Sequence, residues 1–260
     1  MTHDQTSSEK GYAHLISQIT WNQEVADAIA QSSLAHRSAL SSLQEWQRAR
    51  LDATYSDLRG LRRYKAACEF FLDELYGGRN VEERDQQLTR AAPVMKRFLP
   101  DHLLAAVGDA LRLQAMSLLF DFELSSYLID SDTIDQGVYA KAYRAQGDWA
   151  GRRDQLRLIT ELGHLLGETV QYPMIHRLIR LMRAPAKLAG VGLLQRFLQE
   201  GLDAFAEMGS PDHFLTTIHQ RESEAMVAIQ AGQDRPFERW IGEGPSPVRV
   251  ARSAESSVWP

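Results

Sequence analysis

Leu61 to Gly78 reads LRRYKAACEFFLDELYGG, and the spacing within it decides the fold. Leu61, Tyr64, Cys68, Phe71, Leu72 and Leu75 recur at three- and four-residue steps, which places them on one face of an α-helix. Arg62, Lys65, Glu69 and Asp73 fall on the other side, with Lys65 and Glu69 at the i, i+4 step that favours an ion pair. Gly77-Gly78 then supplies residues able to take the left-handed conformation that closes a helix. Strands demand a two-residue alternation and β-branched side chains, and that pattern is almost absent from the chain.

The same reading extends outward. No proline lies between Gly11 and Ala92 or between Asp101 and Tyr172, so nothing there removes a backbone donor from a long helix. The spacing predicts helices near 12–32, 34–58, 60–76, 81–98, 102–130, 133–146, 149–171, 173–183, 186–208 and 212–230. Asp101, after Pro100, can cap the helix that follows. Ser210-Pro211-Asp212 combines a cap, a proline suited to the first turn and an acid at the positive end of the dipole. From Ala231 the pattern gives way to Gly, Pro, Ser and charge, with Trp240 and Trp259 as exceptions. The expectation is an all-α protein: a single multi-helix bundle-like domain of about eight to ten helices. It spans residues 12–230, after a disordered N-terminus (1–11) and before a flexible C-terminal tail (231–260).

A chain of 260 residues with 44% hydrophobic and 24% charged residues suits a soluble protein with a substantial core. The net charge of −5 speaks against general nucleic-acid binding, which needs a basic surface. Cys68 is the one cysteine, so an intramolecular disulfide and a cysteine-rich zinc site are both excluded. No apolar run approaches the ~20 residues of a membrane span, and the polar start is unlike a secretory signal. A cytoplasmic location without a transmembrane segment is the expectation.

Phosphate-loop, zincin, hydrolase-elbow and calcium-loop motifs are absent. Gly190-Val191-Gly192 superficially suggests a dinucleotide loop, but no strand precedes it and Gln195 takes the third glycine's place. With Ala184, Ala186 and Ala189 it reads better as a thin helix surface for close packing. Glu161 and His164 share a helical face, extended by Glu168, and bundles holding two iron or manganese ions use that three-residue step. Such a centre needs a second pair, and only the reversed His219 and Glu222 offers one, so a solvated or structural face is the competing reading. His164 and His176 sit among leucines and isoleucines, which raises haem ligation against the commoner satisfied core histidine. Arg177, Arg180, Arg183 and Lys187, with Arg196 beyond, form a basic stretch in an acidic protein. It suits an anionic ligand, an acidic partner or peripheral contact with a membrane, unless these cations pair with the protein's own carboxylates. Asp73 and Glu74 point about 100° apart on a helix and make no carboxylate dyad. Cys68, on the apolar stripe without a basic activator, reads as core.

The segment Phe70, Phe71, Leu72, Asp73, Glu74, Leu75, Tyr76 resembles the one that names the bacterial FFLEELY motif proteins, with Asp73 where the name has Glu. The resemblance implies a bacterial source and brings no activity, cofactor or active-site residue with it. The motif's own residues read as structural, fixing how two helices meet. Two functions follow as expectations. One is a non-enzymatic helical protein acting through a protein partner, a second copy of itself or an anionic ligand. The other is a helical enzyme or carrier with an internal pocket, with metal or haem as the cofactors to consider.

Overall fold

Two long helices set the frame. α1 (His3–Gln31) lies along α6 (Asp101–Ser126) in the most extensive helix pairing among the described residues. The computed structural model describes residues 3–72, 81–181 and 190–251. Gly108 permits this approach, because a Cβ there would strike the His14 ring. Leu15, Ile19, Leu104 and Leu111 close the seam together with Leu88 and Ala92 of α5 (Val81–Phe98). Asn22 donates to the Leu111 carbonyl at 2.8 Å within it. α1 reaches back through the stretch expected to be disordered, and the Gly11 amide donates to Asp101.

α2 (Leu34–Thr54) opens on Ser33, whose hydroxyl accepts from the His36 amide, as an N-cap should. The predicted helix from Leu34 to residue 58 ends earlier, and α3 (Ser56–Gly60) and α4 (Arg62–Phe70) follow as separate short pieces. The break falls at Leu61, whose extended backbone interrupts the ladder and leaves its side chain half exposed. Of the rest of the stripe, Tyr64 and Cys68 are buried, Phe71 and Leu72 are partly buried and Leu75 lies outside the described residues; Lys65 reaches Glu69 at 3.8 Å. The helix widens into a π-turn at Phe71-Leu72.

α7 (Gln136–Gln146) and α8 (Trp149–Thr169) are capped by Asp135 and Asp148 through side-chain bonds to Val138 and Gly151 amides. α9 (Pro173–Leu181) is followed, after undescribed residues, by α10 (Gly192–Met208) and α11 (Asp212–Gln230). α8 and α11 pack closely because Gly163 leaves room for Leu215. Gly190 has φ +72°, so it forms a turn ahead of α10. The expected thin helix surface therefore does not include Gly190, and Ala184, Ala186 and Ala189 lie outside the described residues.

Beyond Gln230 the chain is part of the core. Phe237 and Val250 are buried against Trp46, Leu124 and Tyr139, and Trp240 packs on the same cluster. α12 (Glu238–Ile241) leads to β2 (Val248–Arg249), which pairs antiparallel with β1 (Thr133–Ile134) in the register Thr133↔Arg249 and Ile134↔Val248. The expectation of a flexible tail from Ala231 fails through residue 251. Apolar residues too sparse to show periodicity still fill a gap beside Trp46. Trp259 lies outside the described residues.

The result is almost wholly helical, with twelve helices among the described residues. α6 is long and apolar enough to cross a membrane by length and composition, where the sequence reading expected no such segment. Here α1 covers one side of it, and another side faces a cavity.

Candidate functional site

Three apolar clusters meet around a cavity of about 640 Å³. Its long wall is α6. Leu103, Val107, Ala110, Gln114, Leu118 and Asp121 follow one another at three- and four-residue steps, and all of them line the space. Opposite them stand Leu162, Leu166 and Thr169 of α8, Phe197, Leu202 and Phe205 of α10, and Phe214 and Ile218 of α11. Phe70, Phe71 and Leu72 complete this apolar wall, with Phe71 against the rings of Phe205 and Phe214. Cys68 also lines it, and burial pushes its thiol up to about 11, so it is uncharged at neutral pH.

One end of the cavity is polar. α2 brings Gln47 and Arg50, α6 brings Asp121, α7 brings Tyr139 and Tyr143, α8 brings Arg152 and Gln155, and α11 brings Glu222. Gln47 donates to Asp121 at 2.7 Å. Arg50 binds Glu222 at 2.6 Å and lies over the Phe237 ring at 4.4 Å. The Tyr55 hydroxyl donates to the same Glu222 oxygen at 2.8 Å. Arg152 enters from the first turn of α8, where a cation opposes the helix dipole. Its guanidinium donates to Gln146 at 2.9 Å and stacks over Phe120 at 4.4 Å and Tyr143 at 4.7 Å. Gln155 continues the network to the Ser117 hydroxyl at 2.7 Å.

Arg50, Asp121 and Arg152 are all buried, at 3%, 3% and 7% exposure. Burial raises the Asp121 carboxyl to about 6, while Arg152, the Gln47 hydrogen bond and Arg50 pull it the other way. Asp121 therefore exchanges its proton close to neutrality. Burial likewise raises Tyr55, Tyr139 and Tyr143, so all three hydroxyls stay protonated and serve as donors. The arrangement can hold a polar head among charged and hydrogen-bonding groups and exchange one proton with it.

The residues singled out from the sequence lie elsewhere for the most part. Glu161, His164 and Glu168 share one face of α8, as their spacing predicts, but that face is exposed. Glu161 binds Arg157 at 2.7 Å and His164 stands 3.5 Å from Asp212. Among the described residues no group of three His, Cys, Asp or Glu side chains converges to hold a metal. His176, the other haem candidate, bonds the Val170 carbonyl at 3.1 Å, and its neighbour Ile175 lines the cavity. Glu222 belongs to the polar end through Arg50, not to a pair with His219. Arg177 and Arg180 are exposed on α9, while Arg183 and Lys187 lie outside the described residues. Of the FFLDELY motif, Phe70, Phe71 and Leu72 are described and line the cavity. Asp73, Glu74, Leu75 and Tyr76 fall outside the described residues.

A family described as a domain of unknown function, DUF8198, matches residues 27–236. The chain belongs to this family. The match takes in α2 through α11 and so every element of the cavity wall. No curated protein and no solved structure matches the chain.

Sequence reasoning missed Arg50, Asp121 and Arg152. A signal for Asp121 was present: it interrupts Leu118-Leu119-Phe120-Asp121-Phe122, an apolar stretch of α6. Arg152-Arg153, two cations just inside a helix start capped by Asp148, is another signal, since the dipole disfavours them there.

Proposed function

We propose that the protein is a binding or carrier protein that encloses an apolar small molecule inside its helical domain. The observation that carries this reading is the cavity of about 640 Å³, within the ~300–1,000 Å³ typical of ligand pockets, apolar over most of its wall with a few convergent polar groups. The α6 stripe supports it as well, because Leu103, Val107, Ala110 and Leu118 of an apolar helix line this space. Of the two functions the sequence allowed, this is the internal-pocket one. The resemblance to bacterial FFLEELY motif proteins belongs to the same proposal, since the motif's two phenylalanines and its leucine at position 72 furnish part of the wall.

The test has two parts. Protein purified from its native host is extracted with organic solvent, and the extract is analysed by mass spectrometry. Stripped protein is titrated with Nile red, a neutral dye whose emission reports an apolar site. The expected results are a co-purifying apolar molecule and saturable dye uptake that Ala106→Trp, placed on the α6 wall, abolishes. Uptake without saturation and insensitive to Ala106→Trp overturns the reading.

A second reading, contact with an anionic surface, draws on α9. Tyr172 and Met174 are exposed at 63% and 72% beside the exposed Arg177 and Arg180. Co-sedimentation with anionic but not neutral vesicles, lost in the Arg177→Glu/Arg180→Glu variant, is the result that supports it.

A further inference from the structure

The shape and charge of the cavity narrow its occupant. Its α6 wall runs from Leu103 to Asp121, roughly 27 Å at about 1.5 Å per residue, so the space is long. Among the described residues, the buried charged groups that line the cavity (Arg50 of α2, Asp121 of α6 and Arg152 of α8) stand together at one end. A long apolar space with one charged end matches a molecule with one chain and one head.

The sign of the head follows from the groups around Asp121. Arg50 faces it from α2, Tyr139 and Tyr143 from α7, Arg152 from α8 and Glu222 from α11. Two cations meet two carboxylates, and Glu222 is already engaged by Arg50 and Tyr55. Balance among these four groups therefore requires Asp121 to be ionised, which its burial opposes. An incoming carboxylate takes over from Asp121 as the second negative charge facing the two guanidiniums, and Asp121 takes up a proton, so the balance is kept. The two carboxyl groups then share one proton, as like-charged pairs in a buried site do. An ammonium head would instead meet two arginines, and an alcohol would gain hydrogen bonds without neutralising charge.

Resting on the reading of the cavity as a ligand chamber, we propose that its occupant is a long-chain carboxylic acid. Its head lies against Arg50, Arg152 and Asp121, its chain runs along α6 toward Phe71 and Phe197, and it binds with uptake of one proton.

The experiment displaces Nile red from stripped full-length protein. The competitors are saturated fatty acids of twelve to sixteen carbons, and alcohols and amines of matching length, at pH 8 and pH 6. Acid affinity is expected to rise about fourfold per added methylene and to exceed that of the matching alcohol by about tenfold or more. Acid affinity should also rise about fiftyfold from pH 8 to pH 6, because the complex holds a proton that the free protein has largely lost at pH 8. Alcohol affinity should stay flat across that range. Asp121→Asn, which fixes the uncharged state, should bind the acid at pH 8 as tightly as the wild type does at pH 6, with no pH dependence. Arg152→Gln should lose the preference for acid over alcohol, and Arg152→Lys, which keeps the charge, should restore most of it. Equal displacement by acid, alcohol and amine, or a flat pH profile for the acid, overturns the head assignment while leaving the chamber intact. Absence of saturable dye uptake overturns both.

Discussion

At one end of the cavity Arg50, Asp121 and Arg152 are buried among hydrogen bonds and aromatic faces. At the other, Phe71, Leu166, Leu202 and Phe205 line open space, and among the described residues no buried charge joins them. The same long helices, α6 and α8, build both ends, so the contrast comes from single side chains along them. The polar end is crowded and specified by directional bonds, and removing one partner there leaves another uncompensated. The apolar end is specified only by shape. Stability and selectivity should therefore be concentrated at the first end, and tolerance at the second.

Four substitutions test that contrast, in descending size of effect. Glu222→Ala leaves Arg50 buried without its carboxylate and removes the acceptor for Tyr55. A loss of roughly 3–5 kcal/mol in urea unfolding is expected. Asp121→Asn acts in the opposite direction and through pH. Unfolded, this carboxyl titrates near ~4, whereas burial holds it at about 6 in the folded protein. Between those values the folded state keeps a proton that the unfolded state has lost, so wild-type stability falls as pH rises through this window and is level above it. The Asn variant should lack the slope and be more stable at pH 8 by about 2–3 kcal/mol, with no difference at pH 3. Ala106→Trp, at the hollow end, should change thermal stability by less than about 1 kcal/mol, because the added ring enters space that no side chain occupies. A large destabilisation there would show that the apolar end is as tightly packed as the polar one. Lys65→Ala removes an ion pair whose members are 63% and 53% exposed, and a change within about 0.5 kcal/mol is expected, small enough to serve as the outer reference.

Much of the fold was legible because helix ends carry local chemistry. Pro100-Asp101, Ser210-Pro211-Asp212 and Pro173 mark starts that the structure keeps within a residue or two, although Asp101 does not cap α6 and accepts from the Gly11 amide instead. The Tyr64, Cys68, Phe71 stripe and the Lys65–Glu69 pair are where a 3.6-residue period puts them. The end of α2 at Thr54 was less visible, since no proline or glycine falls beside it. The cavity was not legible at all. Leu103, Val107, Ala110 and Leu118 show the same spacing whether they meet another helix or a void, so periodicity reports an inward face without saying what lies inside it. The histidines and acids that attracted attention, Glu161, His164 and Glu168, did so by residue type. Arg50, Asp121 and Arg152 carry their meaning in burial, which only the packed structure displays.

The strand pair Thr133-Ile134 and Val248-Arg249 has a consequence for the order in which the molecule is made. The Ser42 hydroxyl holds the Arg249 carbonyl at 3.1 Å across 207 residues of chain, and Phe237 and Val250 cover Trp46 and its neighbours. A ribosome delivers Trp46 long before either of them. The cluster around Trp46 therefore keeps an open side throughout synthesis of the helices that wall the cavity, and it can close only once Phe237 and Val250 have been made.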